Sequence, residues 1–202
     1  MIDTEIIDIK IILLGENGTG KSNLVNICCN LKFNKNSTSN ISTSILEKRV
    51  EINKIQYNLR LWDTAGQEKF RSLNNIFIKD ARICIFVYDI SRPESFEALN
   101  YWVKTSEEIL GKEIVFGLVA NKNDLEEKVN KKEGEKYAKE IGALFLQTSA
   151  KNDKGEFSEF VDKLVVEFLD RSCLNGWEFI CKEERFSLAS TYHVNIKKKD
   201  CC

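Results

Sequence analysis

The run Gly15-Glu16-Asn17-Gly18-Thr19-Gly20-Lys21-Ser22 carries chemistry in its spacing. It fits G-x-x-x-x-G-K-[ST], a pattern in which each residue type has a physical task. Glycines let the backbone bend until successive N–H groups converge on phosphate oxygens. An ammonium at Lys21 can reach the outer phosphates, and the Ser22 hydroxyl can bind magnesium. The set Gly15, Asn17, Gly18, Thr19, Gly20, Lys21 and Ser22, with Asn23 directly behind it, can therefore hold a nucleoside triphosphate. The rival is a glycine-rich turn with a chance lysine.

A second cluster could choose the base. In Asn121-Lys122-Asn123-Asp124 the Asp124 carboxylate can accept from the ring N–H and exocyclic amine of guanine. Adenine lacks that donor pair, and a buried carboxylate left unpaired against it is costly, which makes such discrimination large. Lys122 can lay its aliphatic stem over the base, and the backbone of Ser149-Ala150-Lys151 can offer an N–H to the guanine carbonyl. Each short motif is weak alone; Asn121 to Asp124 also reads as an ordinary polar turn.

A third cluster could carry the reaction. In Asp63-Thr64-Ala65-Gly66-Gln67-Glu68, Asp63 can hold a magnesium shell through water, and Gly66 leaves its N–H open to a terminal phosphate. Gln67 can orient an attacking water while Lys21 stabilises the charge that develops. These two are the candidate catalytic residues, and a polar turn between strand and helix is the alternative.

Elements of the right kind surround these clusters. Ile9 to Leu14 is a near-continuous aliphatic run, expected of a strand buried on both faces, and Lys21 to Leu31 reads as a helix. Ser44 to Ile52 and Gln56 to Trp62 read as a hairpin turning near Asn53-Lys54, and Glu68 to Phe77 as a helix. Ile83 to Tyr88, Ile114 to Ala120 and Leu144 to Gln147 read as further strands. Between them fall helices starting at Pro93 and spanning Glu133 to Ile141. Phe157, Phe160, Val161, Leu164, Val165 and Phe168 predict a last amphipathic helix. Alternation of this kind predicts an α/β fold: a six-stranded, mostly parallel sheet with one antiparallel edge strand and helices on both faces. All three clusters then lie at the C-terminal ends of strands, where such sheets bind ligands.

The chain's 202 residues suit one domain, expected over 1–170, with a mobile tail over 171–202, where the apolar pattern fades. With 30 basic and 31 acidic side chains, nothing calls for a nucleic-acid partner. The odd count of seven cysteines, without paired zinc-ligand spacing, reads as reduced and intracellular, with Cys84 a buried free thiol. The acidic start is no signal peptide, and no apolar run is long enough to span a bilayer. Any membrane attachment is therefore expected to be peripheral or covalent. His193, the single histidine, takes no catalytic role.

From about Ile7 to Leu169 the chain resembles the Ras superfamily of small GTPases, and within it the Rab family. The likeness rests on the phosphate loop, on Leu59-Arg60-Leu61-Trp62-Asp63-Thr64-Ala65-Gly66-Gln67-Glu68-Lys69-Phe70-Arg71, on Ile85-Phe86-Val87-Tyr88-Asp89, and on the terminal Cys201-Cys202. It implies a P-loop GTPase fold and a slow GTP/GDP switch that uses magnesium. Implied partners are an exchange factor, a GTPase-activating protein, a GDP-dissociation inhibitor and effectors, with the chain itself a monomer. By position, Phe33 corresponds to the aromatic that braces the guanine edge. Ile45, Trp62 and Phe77 correspond to the hydrophobic triad that Rabs present to effectors, with Ile45 in place of the usual phenylalanine.

Two departures stand out. A threonine before the second strand is a magnesium ligand in the family; a gapless count puts Asn40 there, with Thr38, Ser39, Ser42 and Thr43 as alternatives if the loop slides. Asn17 replaces the glycine of Ras proteins and the serine of many Rabs, which crowds the terminal phosphate. The ending Lys197-Lys198-Lys199-Asp200-Cys201-Cys202 is not a C-a-a-X box; it resembles the Rab ending in which both cysteines receive geranylgeranyl groups. Two lipid chains anchor stably where one is marginal, and each lysine adds about 1 kcal/mol near anionic lipid. The expected place is the cytoplasmic face of an intracellular membrane, with a cytosolic pool, in vesicle trafficking. Asn40 keeps open a second function, a nucleotide-holding membrane adaptor whose first switch does not respond to the terminal phosphate. A third, an ATP-using phosphotransferase, needs a base site without Asp124.

Overall fold

The computed structural model describes residues 6–34, 44–64, 76–111 and 114–174. Six strands make one sheet: β1 (Ile7–Leu14), β2 (Ser44–Ile52), β3 (Ile55–Asp63), β4 (Ile83–Asp89), β5 (Val115–Asn121) and β6 (Leu144–Gln147). Their order is β2-β3-β1-β4-β5-β6. Every pairing is parallel except β2 with β3, so β2 is the antiparallel edge strand. The described helices are α1 (Lys21–Cys28), α2 (Pro93–Glu97), α3 (Leu99–Leu110), α4 (Lys131–Glu140) and α5 (Glu156–Leu174). The expected α/β architecture is the one found.

The aliphatic run of β1 is explained by its two faces. Ile9, Ile11 and Leu13 pack with Leu24 and Val25 of α1 and with Phe157, Val161 and Leu164 of α5. Ile12 and Leu14 point the other way, into a second core with Phe86, Leu99, Trp102 and Ala138. Successive side chains of a strand alternate faces, so a strand covered on both sides must be apolar throughout. β4 and β5 are buried along their whole length for the same reason.

Local chemistry sets the boundaries. Asn53 and Lys54 both adopt positive φ (52° and 64°), the two-residue hairpin turn whose twist matches its strands. α1 stops at Cys28, short of the Leu31 expected from sequence. Asn30 turns left-handed (φ 59°) and the Leu31 N–H returns to the Asn26 carbonyl at 2.8 Å. That 6→1 bond closes a Schellman motif. α4 begins at Lys131, before the expected Glu133, because Asn130 and Glu133 form a capping box. The helix expected from Pro93 is divided at Ala98. Of the helix expected over Glu68 to Phe77, residues 65–75 lie outside the described residues, and residues 76–78 are helical.

α5 continues past Asp170 to Leu174. Arg171 holds this extra turn, pairing with Glu167 at 2.7 Å and donating to the Ile114 carbonyl at 3.2 Å. α5 is also tied to the edge strand. Lys48 Nζ of β2 lies 2.7 Å from Asp162 Oδ1 and 2.8 Å from Ser158 Oγ, with both charged side chains nearly covered.

Cys28, Cys29 and Cys84 are free thiols, and burial pushes Cys28 and Cys84 up to about 12. No described helix is long and apolar enough to cross a membrane.

Candidate nucleotide site

The loop from Gly15 to Gly20 joins β1 to α1 at the C-terminal edge of the sheet. Two of its glycines are dictated by space. Gly15 has φ 147°, and a Cβ there would collide with the Val87 carbonyl of β4; Gly20 has φ 98°, and a Cβ there would collide with the Asn121 amide. The chain must therefore pass tightly against the ends of β4 and β5. Gly20 is the N-cap of α1, makes no side-chain cap bond, and no acid follows in the first turn. A helix start left with its N–H groups uncapped favours an anion.

Lys21 folds back over this loop. Its Nζ donates to the carbonyls of Gly15 and Glu16, each at 2.9 Å, and it is 5% exposed. Burial lowers its pKa to about 8, against the opposing charges of Asp63 and Glu16. A cation held in so little water suits a strongly charged anionic ligand. Ser22 and Asp63 end up at the tips of neighbouring elements, since β1 and β3 pair with Leu13 opposite Asp63. Thr64 Oγ1 donates to the Leu13 carbonyl at 2.6 Å and locks that junction. Among the described residues no three His, Cys, Asp or Glu side chains gather around a metal site. A cation here would rest on Ser22, Asp63 and phosphate oxygens, a donor set that fits magnesium.

Asn121 joins this loop to the two base-reading segments. Its Nδ2 donates to the Thr19 carbonyl at 2.7 Å, and its Oδ1 accepts from the Ala150 N–H at 3.1 Å, with 1% of the residue exposed. Ser149 Oγ donates to Asp124 Oδ1, and Lys151 Nζ lies 3.5 Å from Asp124 Oδ2. The Ser149 hydrogen bond is the main cause holding the Asp124 carboxyl below its ordinary value. The protein does not bury that carboxylate completely, for 14% of the side chain is exposed. Full burial would have to come from a ligand.

Two residues not anticipated from sequence complete the frame. Asp89, at the end of β4 and 1% exposed, takes Lys122 Nζ at 2.7 Å and Arg92 Nε at 3.3 Å. Arg92 Nη2 also donates to the Asn17 carbonyl at 2.7 Å. Lys122 has φ 67°, a left-handed backbone that a lysine rarely adopts. The phosphate loop and the base loop are thus braced from one side by Arg92, Asp89 and Lys122. The cationic neighbours of a strand-ending acid were the available signal, but the contact with Asn17 spans too much sequence to be read.

Elsewhere, Asn23 lies in α1 and is nearly covered, while Phe33 is exposed. Ile45 pairs with Trp62 across β2 and β3. The Trp62 and Phe77 rings are 6.2 Å apart, and Lys10 Nζ sits 4.0 Å from the Trp62 ring. Ile45, Trp62 and Phe77 therefore form one partly exposed surface. Asn40, Gly66, Gln67, Cys201 and Cys202, with the tail lysines, lie outside the described residues.

A Ras family model matches residues 10–169. The chain belongs to the Ras family. Within the Ras family it falls in the Rab branch. It is 42% identical over 155 residues to Ras-related protein Rab-21 of Homo sapiens, covering 76% of this chain and 69% of the relative. It is 37% identical over 200 residues to Ras-related protein SEC4 of Saccharomyces cerevisiae, covering 96% and 90%. A third relative, Ras-related protein Rab-2B of Dictyostelium discoideum, is 38% identical over 144 residues.

Proposed function

We propose that this Rab-branch GTPase binds GTP and GDP through the loop from Gly15 to Ser22 with Asn23 behind it, and selects guanine through Asp124. The observation that carries the reading is the Asn121 amide, bonded at once to Thr19 of the phosphate loop and to Ala150 of the third loop. It draws three separate sequence motifs into one place at the C-terminal sheet edge, where ligands of such folds bind.

In this reading Lys21 and the loop N–H groups hold the outer phosphates and stabilise charge as the terminal phosphoryl leaves. Ser22 and Asp63, with Asn40 or a neighbouring hydroxyl, hold magnesium, which supplies further charge neutralisation when bound. Gly66 touches the terminal phosphate and Gln67 orients the attacking water. The Ser149-Ala150-Lys151 segment faces the guanine carbonyl, and Lys122 lies along the base with its ammonium on Asp89. Phe33 braces the base edge. Ile45, Trp62 and Phe77 face effectors. An exchange factor, a GTPase-activating protein and a GDP-dissociation inhibitor set the cycle, and geranylgeranyl groups on Cys201 and Cys202 anchor the tail at the cytoplasmic face of an intracellular membrane.

The test is displacement of fluorescent N-methylanthraniloyl-GDP in magnesium by GTP, GDP and ATP, followed by phosphate release. GTP and GDP should displace it and ATP should not. Displacement by ATP at equal concentration overturns the guanine reading. Equal affinity for GDP and a GTP analogue, with unchanged protease sensitivity around residues 34–44, would favour the non-switching adaptor.

A further inference from the structure

Asn23, the residue after Ser22, grips the chain at a distance of eleven positions. Its Oδ1 accepts from the Asn34 N–H at 2.9 Å, and its Nδ2 donates to the Asn34 carbonyl at 3.2 Å. Only one orientation of the amide satisfies both bonds. The Asn34 N–H belongs to the peptide joining Phe33 to Asn34, and its carbonyl to the next one. One side chain therefore holds both backbone polar groups of Asn34, in a segment without regular structure of its own. The anchor is stiff at its origin too, since Asn23 sits in the first turn of α1, is 8% exposed, and follows a loop already held at Lys21 and Thr19.

The residue immediately before the clamped peptide is Phe33. Its ring is 38% exposed and is not enclosed by a core of its own. Its placement must come from the backbone that carries it, and Asn23 anchors that backbone at Asn34. We propose that Asn23 is a positioning residue. It sets Phe33 against the edge of the bound guanine and so governs how fast the nucleotide leaves. This rests on the reading of Phe33 as the guanine-edge brace. Asn23 acts through that ring, by removing the freedom of the peptide beside it. The cost of ordering Phe33 is then met on folding and does not have to be met when nucleotide binds.

Release of N-methylanthraniloyl-GDP into excess GDP, in magnesium, tests this on the full chain. Asn23→Ala should speed release about tenfold, the scale of two part-buried hydrogen bonds lost together. Asn23→Asp keeps the size and the acceptor but sets a carboxylate oxygen against the Asn34 carbonyl where the amide donated, and should speed release at least as much as Asn23→Ala; it carries the test if the alanine variant does not fold. Phe33→Ala should also speed release, and Asn23→Ala combined with it should add little. Combined with Asp124→Ala, in contrast, the Asn23 effect should multiply. A general loosening of the domain would multiply with both. Unchanged release from Asn23→Ala, with Phe33→Ala fast, overturns the clamp and leaves Phe33 as brace. Unchanged release from Phe33→Ala overturns the brace and the proposal with it. Full multiplication of the Asn23 and Phe33 effects shows that they act separately and overturns the proposal.

Discussion

Arg92 donates to the carbonyl of Asn17 at 2.7 Å, so a side chain from the β4–α2 connection holds the outer turn of the phosphate loop. The same guanidinium lies 3.3 Å from Asp89, which in turn holds Lys122. A charge-assisted bond to a carbonyl is worth about 1.5–3 kcal/mol when dry, and a part-exposed arginine brings this towards ~1 kcal/mol. Arg92→Ala should therefore speed GDP release about fivefold. Arg92→Lys, with a point charge and no planar fork, should recover only part of that. A release rate equal to wild type would show that the bond constrains nothing.

Asn121→Ala removes the partner of the Thr19 carbonyl and of the Ala150 N–H together. Both groups lie in the interior, where each orphaned atom costs about 1–3 kcal/mol. The nucleotide-free protein should lose about 2–4 kcal/mol in urea unfolding with no change in the denaturant slope. Nucleotide affinity should fall as well, because the three loops are no longer held in register. A stable variant with unimpaired binding would show that the loops find their places without the bridge.

Asp124→Ala should leave phosphate affinity in place and remove the preference for guanine. The ratio of GTP to ATP affinity should fall at least about a hundredfold, since the carboxylate is the group that adenine leaves unpaired. Competition against fluorescent GDP reads this directly. A preference that survives would move the selection of the base to the backbone near Ala150.

Asp89 predicts an acid limb. Burial pushes its carboxyl up, but the hydrogen bonds from Lys122 and Ser91 outweigh burial and hold it below the ordinary value of 3.8. A depressed folded-state pKa contributes stability above the unfolded value and loses it as the pH falls through the folded one. Wild type should thus melt at progressively lower temperature below about pH 4. Asp89→Asn should be less stable at pH 7 and flatter through that range. Parallel melting curves for the two proteins from pH 7 to 3 would rule Asp89 out as a source of the acid sensitivity.

Much of the fold was legible because burial writes itself into side-chain type. The two-sided burial of β1, β4 and β5 shows as unbroken apolar runs, and the one-sided burial of α5 as helical spacing. α4 was harder, being mostly charged and exposed; its start is visible only in the Asn130–Glu133 pair. The early end of α1 depends on Asn30 turning left-handed, which its neighbours do not announce. In the site, Lys21, Asn121 and Asp124 could be named from short motifs because their spacing is local. Arg92 and the grip of Asn23 on Asn34 could not, because they depend on which loops the sheet brings together.

The pair Lys48–Asp162 has a mechanical side. Any tension on the chain beyond Leu174 enters the domain along α5, whose buried face resists sliding through many weak contacts. Lys48 adds one stiff, short link from that helix to the outermost strand, across the sheet from the base loops. A tug on the tail is then shared with β2, the strand that bears Ile45, before it can travel the length of α5 to Glu156, where the helix meets the loop that carries Ser149 and Ala150.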